Sequence, residues 1–170
     1  PKNTSIPVMG PAIGLDYVMT PSGMLTDRIV ELGYEIFFFN TSRLEFGIAN
    51  VFQKLPEDFN PLDPRGDSTL LTGQSFNWNE VGMEFQSDTR KVFNYRIEAK
   101  YGGFYNGNLV GINGDINYRY QPFGSLSIVV DYSDLHFPAA YGKTRFLLIG
   151  PRLDLTFTDK LFLTTFAQYN

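Results

Sequence analysis

The chain has 170 residues, the length of about one domain, and its 14 Lys and Arg against 18 Asp and Glu give a net charge of -4. This balance disfavours a nucleic-acid partner held by a broad basic surface. A hydrophobic content of 43%, with 10 Tyr and 16 Phe, excludes a disordered tail, and the lack of Cys excludes disulfides, thiolate catalysis and Cys-ligated zinc.

Alternating apolar and polar residues predict long β-strands along the chain, and no segment predicts a helix of useful length. The clearest alternation is at 93–101, where Phe93, Tyr95 and Ile97 are separated by polar residues. The expected strands, in chain order, are 12–20, 28–40, 43–54, 77–87, 93–101, 112–120, 125–136, 144–157 and 160–169. The predicted fold class is all-β, an antiparallel up-and-down meander of about nine long strands.

A hairpin is predicted between the fifth and sixth strands, because Asn106-Gly107 separates two alternating segments and Asn-Gly favours tight turns. With these two residues at the centre of the turn, Glu98 lies directly opposite Asp115. The expected apolar pairs are Tyr101 with Ile112, Ile97 with Ile116, Tyr95 with Tyr118 and Phe93 with Tyr120.

Alternate connections of a meander lie at the same end of the sheet. One end receives the short turns 40–42, 87–89, 121–124 and 158–160, and the other receives 21–23, a long loop at about 55–76, 106–107 and 137–142. This sidedness is typical of outer-membrane barrels, as are two girdles of aromatic residues. The expected girdles are Phe37, Phe38, Phe39, Phe85, Phe93, Tyr120, Phe157 and Phe162 near the short turns, and Phe52, Trp78, Tyr101, Tyr105, Tyr132 and Phe137 near the loops.

In a transmembrane barrel, one face of each strand contacts lipid and the other faces the lumen. The residues expected to face lipid are Phe93, Tyr95, Ile97, Ile112, Ile116, Tyr118, Leu126, Ile128, Val130, Leu153 and Leu155. Those expected to face the lumen are Glu80, Glu84, Arg96, Glu98, Lys100, Asp115, Arg119, Asp131, Arg152 and Asp154.

The segment 76–170, over half of the chain, carries several distinctive short motifs. They are Asn77-Trp78-Asn79-Glu80, Gly102-Gly103-Phe104-Tyr105-Asn106-Gly107, Tyr118-Arg119-Tyr120-Gln121-Pro122, Gly150-Pro151-Arg152-Leu153 and Gln168-Tyr169-Asn170, with Leu55–Pro61 before them. In these motifs the chain resembles the C-terminal domain of unknown function of large Bacteroidetes cell-envelope proteins, often preceded by a domain similar to family 9 carbohydrate-binding modules. The resemblance implies a β-barrel in the bacterial outer membrane. Members of the family are sometimes labelled membrane-associated hydrolases, but no catalytic residue carries over.

The residues 1–170 are expected to form a single segment of a longer barrel. In the family the chain continues with further strands, and bacterial single-chain barrels have even strand numbers. The start at Pro1, without an initiator Met, points the same way.

Two pairs of side chains are candidates for chemistry. Glu98 facing Asp115 would suit an acid–base or cation site in the lumen, although a salt-bridge lattice is the favoured interpretation. His136, the only histidine, lies two residues from Asp134 on the same face, as an acid–His pair of a hydrolase would. No nucleophile motif accompanies this pair, so a rim residue is the favoured interpretation.

The long loop contains four carboxylates among prolines and a glycine: Glu57, Asp58, Asp63 and Asp67. Carboxylates beside turn residues can bind a hard cation, but this spacing is not that of an EF-hand, so an ordered extracellular loop is favoured. No metal site is therefore assigned. No cofactor is expected either, since glycine-rich phosphate-binding loops are absent.

The sequence thus predicts an outer-membrane β-barrel segment that serves as an envelope pore, translocation scaffold or docking platform. Two alternatives stay open, a membrane-embedded hydrolase that acts at the extracellular rim and a soluble β-barrel that binds an apolar ligand. The expected partners are membrane lipid, the remaining strands of the same barrel and other envelope proteins, with no nucleic acid.

Overall fold

The computed structural model describes residues 5–62, 69–138 and 141–170, whose strands form one antiparallel sheet. The strands follow chain order across the sheet, so each one pairs with the next in the sequence. They are β1 (Val8–Met19), β2 (Leu25–Phe37), β3 (Arg43–Lys54), β4 (Ser75–Gln86), β5 (Phe93–Phe104), β6 (Gly107–Tyr120), β7 (Gly124–His136), β8 (Lys143–Thr156) and β9 (Phe162–Phe166). The predicted all-β meander of nine strands is confirmed. Within the described ranges, no helix is long and apolar enough to cross a membrane.

Alternation sorts the strand side chains onto two unlike faces. On β6, Ile116 lies between Tyr95 of β5 and Ile128 of β7, whereas Asp115 lies between Arg96 and Val129. Residues that pair directly on adjacent strands lie on the same face of the sheet, so the separation of apolar from polar side chains extends across all the strands. We call the face with Ile116 the apolar face and the face with Asp115 the polar face. Every residue predicted to face lipid lies on the apolar face, and every residue predicted to face the lumen lies on the polar face.

The pairing of β5 with β6 differs from the prediction by two residues. Phe104 pairs with Gly107, so Tyr105 and Asn106 form the turn, and Tyr105 has a positive φ of 54°. A Cβ added to Gly107 would lie 2.5 Å from the carbonyl oxygen of His136, so this glycine permits close strand packing. A shift of two residues keeps each side chain on its predicted face. The observed pairs are Tyr101 with Val110, Ile97 with Gly114, Tyr95 with Ile116 and Phe93 with Tyr118.

The predicted contrast in connection length between the two ends of the sheet is largely wrong. The connections are 38–42, 87–92, 121–123 and 157–161 at one end, and 20–24, 55–74, 105–106 and 137–142 at the other. Only 55–74 stands out in length. We call the end that carries 55–74 the loop end and the opposite end the turn end.

The sheet has two edges, β1 and β9. Among the described residues, each of these strands pairs with a neighbouring strand on one side only. Because strand direction alternates in an antiparallel meander, the first and ninth strands run in the same direction.

Candidate functional site

Arg96 lies at the centre of an ion-pair network on the polar face. Its Nε donates to Asp115 Oδ1 at 2.9 Å, and its Nη1 lies 3.4 Å from Glu84 Oε2 and 3.3 Å from Glu98 Oε2. Its Nη2 donates to Asn113 Oδ1 at 2.8 Å. The guanidinium thus joins acceptors on β4, β5 and β6. A lysine has three donors on one atom and could not replace this planar set.

The predicted pairing of Glu98 with Asp115 is wrong. Glu98 lies opposite Asn113, and Asp115 lies opposite Arg96. Asp115 also accepts a hydrogen bond from Asn117 Nδ2 at 2.8 Å. Both carboxylates contact the guanidinium of Arg96, and these contacts are those of a salt-bridge lattice.

The network borders a cavity of about 360 Å³. Arg43 Nη2 donates to Glu84 Oε1 at 2.7 Å and extends the ion pairs to β3. Carboxylates outnumber cations in the lining of this cavity, and Arg43 and Arg96 offset part of that negative charge. The charged residues that line it are Glu31, Glu45, Glu80, Glu84, Glu98 and Lys100.

Three other polar-face residues named from the sequence do not contact Arg96 directly, and Asp131 is linked to it only through Asn113. Arg152 Nε donates to Asp154 Oδ2 at 3.0 Å on β8. Asp131 Oδ2 accepts from Asn113 Nδ2 at 3.3 Å. Arg119 extends to the turn end instead, where its Nη2 donates to the carbonyl oxygens of two residues in turn 87–92, Thr89 and Lys91.

Aromatic side chains pack around Tyr105 at the loop end. The ring centroid of Tyr105 is 5.3 Å from those of Phe59 and Trp78, 5.4 Å from that of Phe76 and 4.8 Å from that of Phe104. Phe59 belongs to the connection 55–74, so these contacts hold that loop against the sheet. Burial raises the pKa of the Tyr105 hydroxyl, because the charged form loses its hydration.

The predicted loop-end girdle is therefore wrong in part. Trp78 is a polar-face residue of β4 and is buried, and Phe137 is buried beside Phe104 at 6.3 Å between ring centroids. Phe52, Tyr101 and Tyr132 do lie on the apolar face. Strand alternation would have placed Trp78 correctly, but nothing in the sequence indicates that a distant loop covers it.

The carboxylate of Asp58 accepts hydrogen bonds within the long loop. Its Oδ1 accepts hydrogen bonds from both the backbone nitrogen and the hydroxyl of Thr72, at 2.7 Å each, and these bonds lower the pKa of Asp58. Asp63 and Asp67, two of the carboxylates considered as cation ligands, lie outside the described residues. Within the described residues, no three His, Cys, Asp or Glu side chains come together as metal ligands do.

A polar network at the turn end was not predicted from the sequence. Asp88 is buried and accepts from Thr41 Oγ1 at 3.0 Å and from Arg90 at 2.9 Å (Nε) and 3.0 Å (Nη2). The hydrogen bonds from Arg90 hold the pKa of Asp88 far below its usual range. The network joins turns 38–42 and 87–92. Its local signal is an aspartate in a turn with an arginine two residues later.

Asp134 and His136 lie together at the loop end of the apolar face, as predicted. His136 Nε2 is 3.0 Å from Asp134 Oδ1, and Arg145 Nε donates to Asp134 Oδ2 at 2.9 Å. Tyr132 OH lies 3.4 Å from the same Oδ2. Among the residues that the structure describes, no hydroxyl group hydrogen-bonds to His136. The hydrolase alternative stays a prediction, because the contacts of this pair do not identify a nucleophile.

The apolar face is the more exposed of the two faces. On β6, 40% of Val110 and 46% of Ile112 are exposed, whereas Leu109 on the polar face is 8% exposed. On β3, Ile48 is 48% exposed and its polar-face neighbour Ala49 is 8% exposed. A one-sided sheet in a globular protein buries its apolar side, so the exposure pattern here is inverted.

Comparison of the chain with protein-family models, curated proteins and solved structures finds no match.

Proposed function

We propose that this chain is part of a β-barrel in a bacterial outer membrane, with the apolar face toward lipid and the polar face toward the lumen. The inverted exposure of the two faces carries this proposal. Soluble monomers rarely expose an apolar surface that extends across a whole sheet, because water contact with such a surface is unfavourable. Hydrocarbon chains are the solvent in which this surface is stable.

The dimensions of the apolar face support the proposal. On β6, apolar-face positions without charge run from Val110 to Tyr120. At about 3.3 Å per residue and a tilt of about 40°, this stretch spans about 25 Å, the height of the apolar band on outer-membrane barrels.

The aromatic residues at the turn end also fit a membrane boundary. On the apolar face, the ring centroid of Tyr95 is 5.9 Å from that of Phe85 and 6.0 Å from that of Phe93. Tyr120 and Phe123 form a second pair at 5.4 Å. Aromatic rings are enriched where a barrel leaves the hydrocarbon region.

Among the envelope roles, the contacts on the polar face favour a scaffold with a narrow lumen over a wide pore. The Arg96 network connects side chains of three strands, and the connection 55–74 packs through Phe59 over the loop end of the same face. Paired charges and a covering loop both reduce the open cross-section available to a solute.

The soluble alternative is disfavoured, because a barrel that binds an apolar ligand inside would have the apolar face as its less exposed side. The observed exposure is the reverse.

Alkaline extraction of membranes from cells that make the protein tests the proposal, together with gel mobility in detergent before and after boiling. We expect the protein to stay in the membrane pellet and to migrate faster before boiling. Recovery in the soluble fraction without a heat-dependent shift would reject the proposal.

A further inference from the structure

A sharp boundary crosses the apolar face near the loop end. On β8, Leu147 is the last aliphatic residue of this face, and the next two apolar-face positions are Arg145 and Lys143. Arg145 lies opposite Asp134, and Lys143 lies opposite His136. The surface therefore changes from aliphatic to cationic within four residues.

Asp134 holds Arg145 in place while leaving most of its guanidinium exposed. The contact uses Nε of Arg145, whose side chain is 67% exposed, whereas the side chain of Asp134 is 14% exposed. Neither Nη group of Arg145 hydrogen-bonds to another described residue. Lys143 is two residues away on the same face, about 7 Å along the strand, so both cations can reach one phosphate group.

A second basic group lies at the same margin on β2 and β3. Arg28 Nη2 donates to Asn50 Oδ1 at 2.9 Å, and its guanidinium lies 5.8 Å from the ring centroid of Phe52. Lys54 follows Phe52 at the next apolar-face position. On the described strands, the basic side chains of the apolar face are Arg28, Lys54, Lys143 and Arg145, and its single carboxylate is Asp134.

The polar face has the opposite charge balance. Its strand residues include the bases Arg43, Arg96, Lys100, Arg119 and Arg152, and the acids Asp16, Asp27, Glu31, Glu35, Glu45, Glu80, Glu84, Glu98, Asp115, Asp131 and Asp154. The margin of the apolar face is thus positive in a chain whose net charge is -4.

We infer that this basic margin, defined by Arg28, Lys54, Lys143 and Arg145, binds the phosphate groups of anionic lipids. The inference rests on the proposed lipid contact of the apolar face. A lipid is complementary to both sides of the boundary, since its acyl chain suits Leu147 and the residues that follow it, and its phosphate suits Arg145 and Lys143. Arginine binds phosphate through parallel hydrogen bonds, and lysine adds a compact charge.

Flotation of the full chain with lipid vesicles tests the inference. The vesicles contain phosphatidylcholine alone or phosphatidylcholine mixed with anionic phosphatidylglycerol. The test variant is Lys143→Gln with Arg145→Gln, and the matched control is Lys100→Gln with Arg152→Gln, which removes the same charge from the polar face. A basic residue near an anionic membrane surface strengthens binding about fivefold. We therefore expect the preference for anionic vesicles to fall about 10- to 30-fold in the test variant and to persist in the control.

Each other outcome rejects the inference in a distinguishable way. An equal loss of the preference for anionic vesicles in both variants would mean that the net charge of the protein, and not the position of the charges, decides binding. Equal flotation of the unmodified protein with both kinds of vesicle would reject selective binding of anionic lipids and leave the lipid-facing proposal standing. Flotation with neither kind would reject both proposals.

Discussion

Arg96 and Asp115 lie directly opposite each other on β5 and β6, with Nε of the arginine 2.9 Å from Oδ1 of the aspartate. This ion pair favours the observed register over registers shifted by one or two residues. A slip of one residue would move Asp115 to the apolar face. A slip of two would place it opposite Glu98 in one direction and opposite Asn94, without its ion pair, in the other. Like charges directly opposite each other are destabilising, so the charges on these strands select one pairing.

Cysteine substitutions should report this register, since the chain has no native Cys. We expect Glu98→Cys with Asn113→Cys to form a disulfide, because Cβ atoms of directly opposite residues are about 4.5–5.5 Å apart. Glu98→Cys with Asp115→Cys places the sulfurs on a diagonal of about 7–8 Å and should stay reduced under the same mild oxidation. Gel mobility with and without reductant distinguishes the two, and oxidation of the second pair alone would contradict the register.

Arginine substitutions at neighbouring positions test which face meets lipid. Ile116→Arg on the apolar face should lower the free energy of unfolding in a bilayer by about 2–4 kcal/mol, whereas Asn117→Arg on the polar face should be tolerated. If water covered the apolar face, Ile116→Arg would change stability by less than about 0.5 kcal/mol, because Ile116 is 44% exposed. Urea unfolding of the vesicle-inserted variants measures the difference, and equal tolerance of both would contradict the assignment.

Asp88 should make the free energy of unfolding depend on pH in the acidic range. Its pKa in the folded chain is lowered by hydrogen bonds from Arg90, so protonation opposes folding below the unfolded-state pKa of about 3.9. The contribution is complete above that pH and is lost as the pH falls toward the folded-state pKa. We expect Asp88→Asn to lower the urea midpoint at pH 7 and to approach the unmodified protein at acidic pH. Asp159→Asn, in the exposed turn 157–161, is the control; an equal effect there would exclude a specific role for Asp88.

Tyr105→Ala should release the long loop from the sheet. The substitution removes ring contacts with Phe59 and Trp78 and is expected to cost about 2–4 kcal/mol, somewhat less than truncation of a fully buried aromatic residue. Trp78 is the only tryptophan, so its fluorescence reports directly on this site. We expect red-shifted emission and faster proteolysis within 55–74. Tyr101→Ala, on the exposed apolar face, should leave the emission unchanged; a similar shift there would argue against the loop contact.

The strands and their faces could be predicted because alternation is a local property of the sequence. The β5–β6 register could not, since the Asn-Gly rule places Gly107 in the turn, whereas its packing against His136 and the contacts of Tyr105 move the turn back by one residue. A one-residue shift of the turn centre changes the pairing by two, which preserves every face. The aromatic cluster depends on contacts between a distant loop and the sheet, for which one sequence has no local signal. In the Asp88 network, Arg90 is a local signal, but the contact with Thr41 of another turn is not.

The parallel direction of β1 and β9 restricts how the sheet can close into a ring. Joining these two edges directly would create one parallel pair in an otherwise antiparallel sheet. A second copy of the sheet, inserted in the same orientation, would still leave parallel pairs, because both of its edge strands run in the same direction as β1 and β9. An entirely antiparallel ring therefore needs an odd number of other strands, beginning and ending with strands that run opposite to β1 and β9.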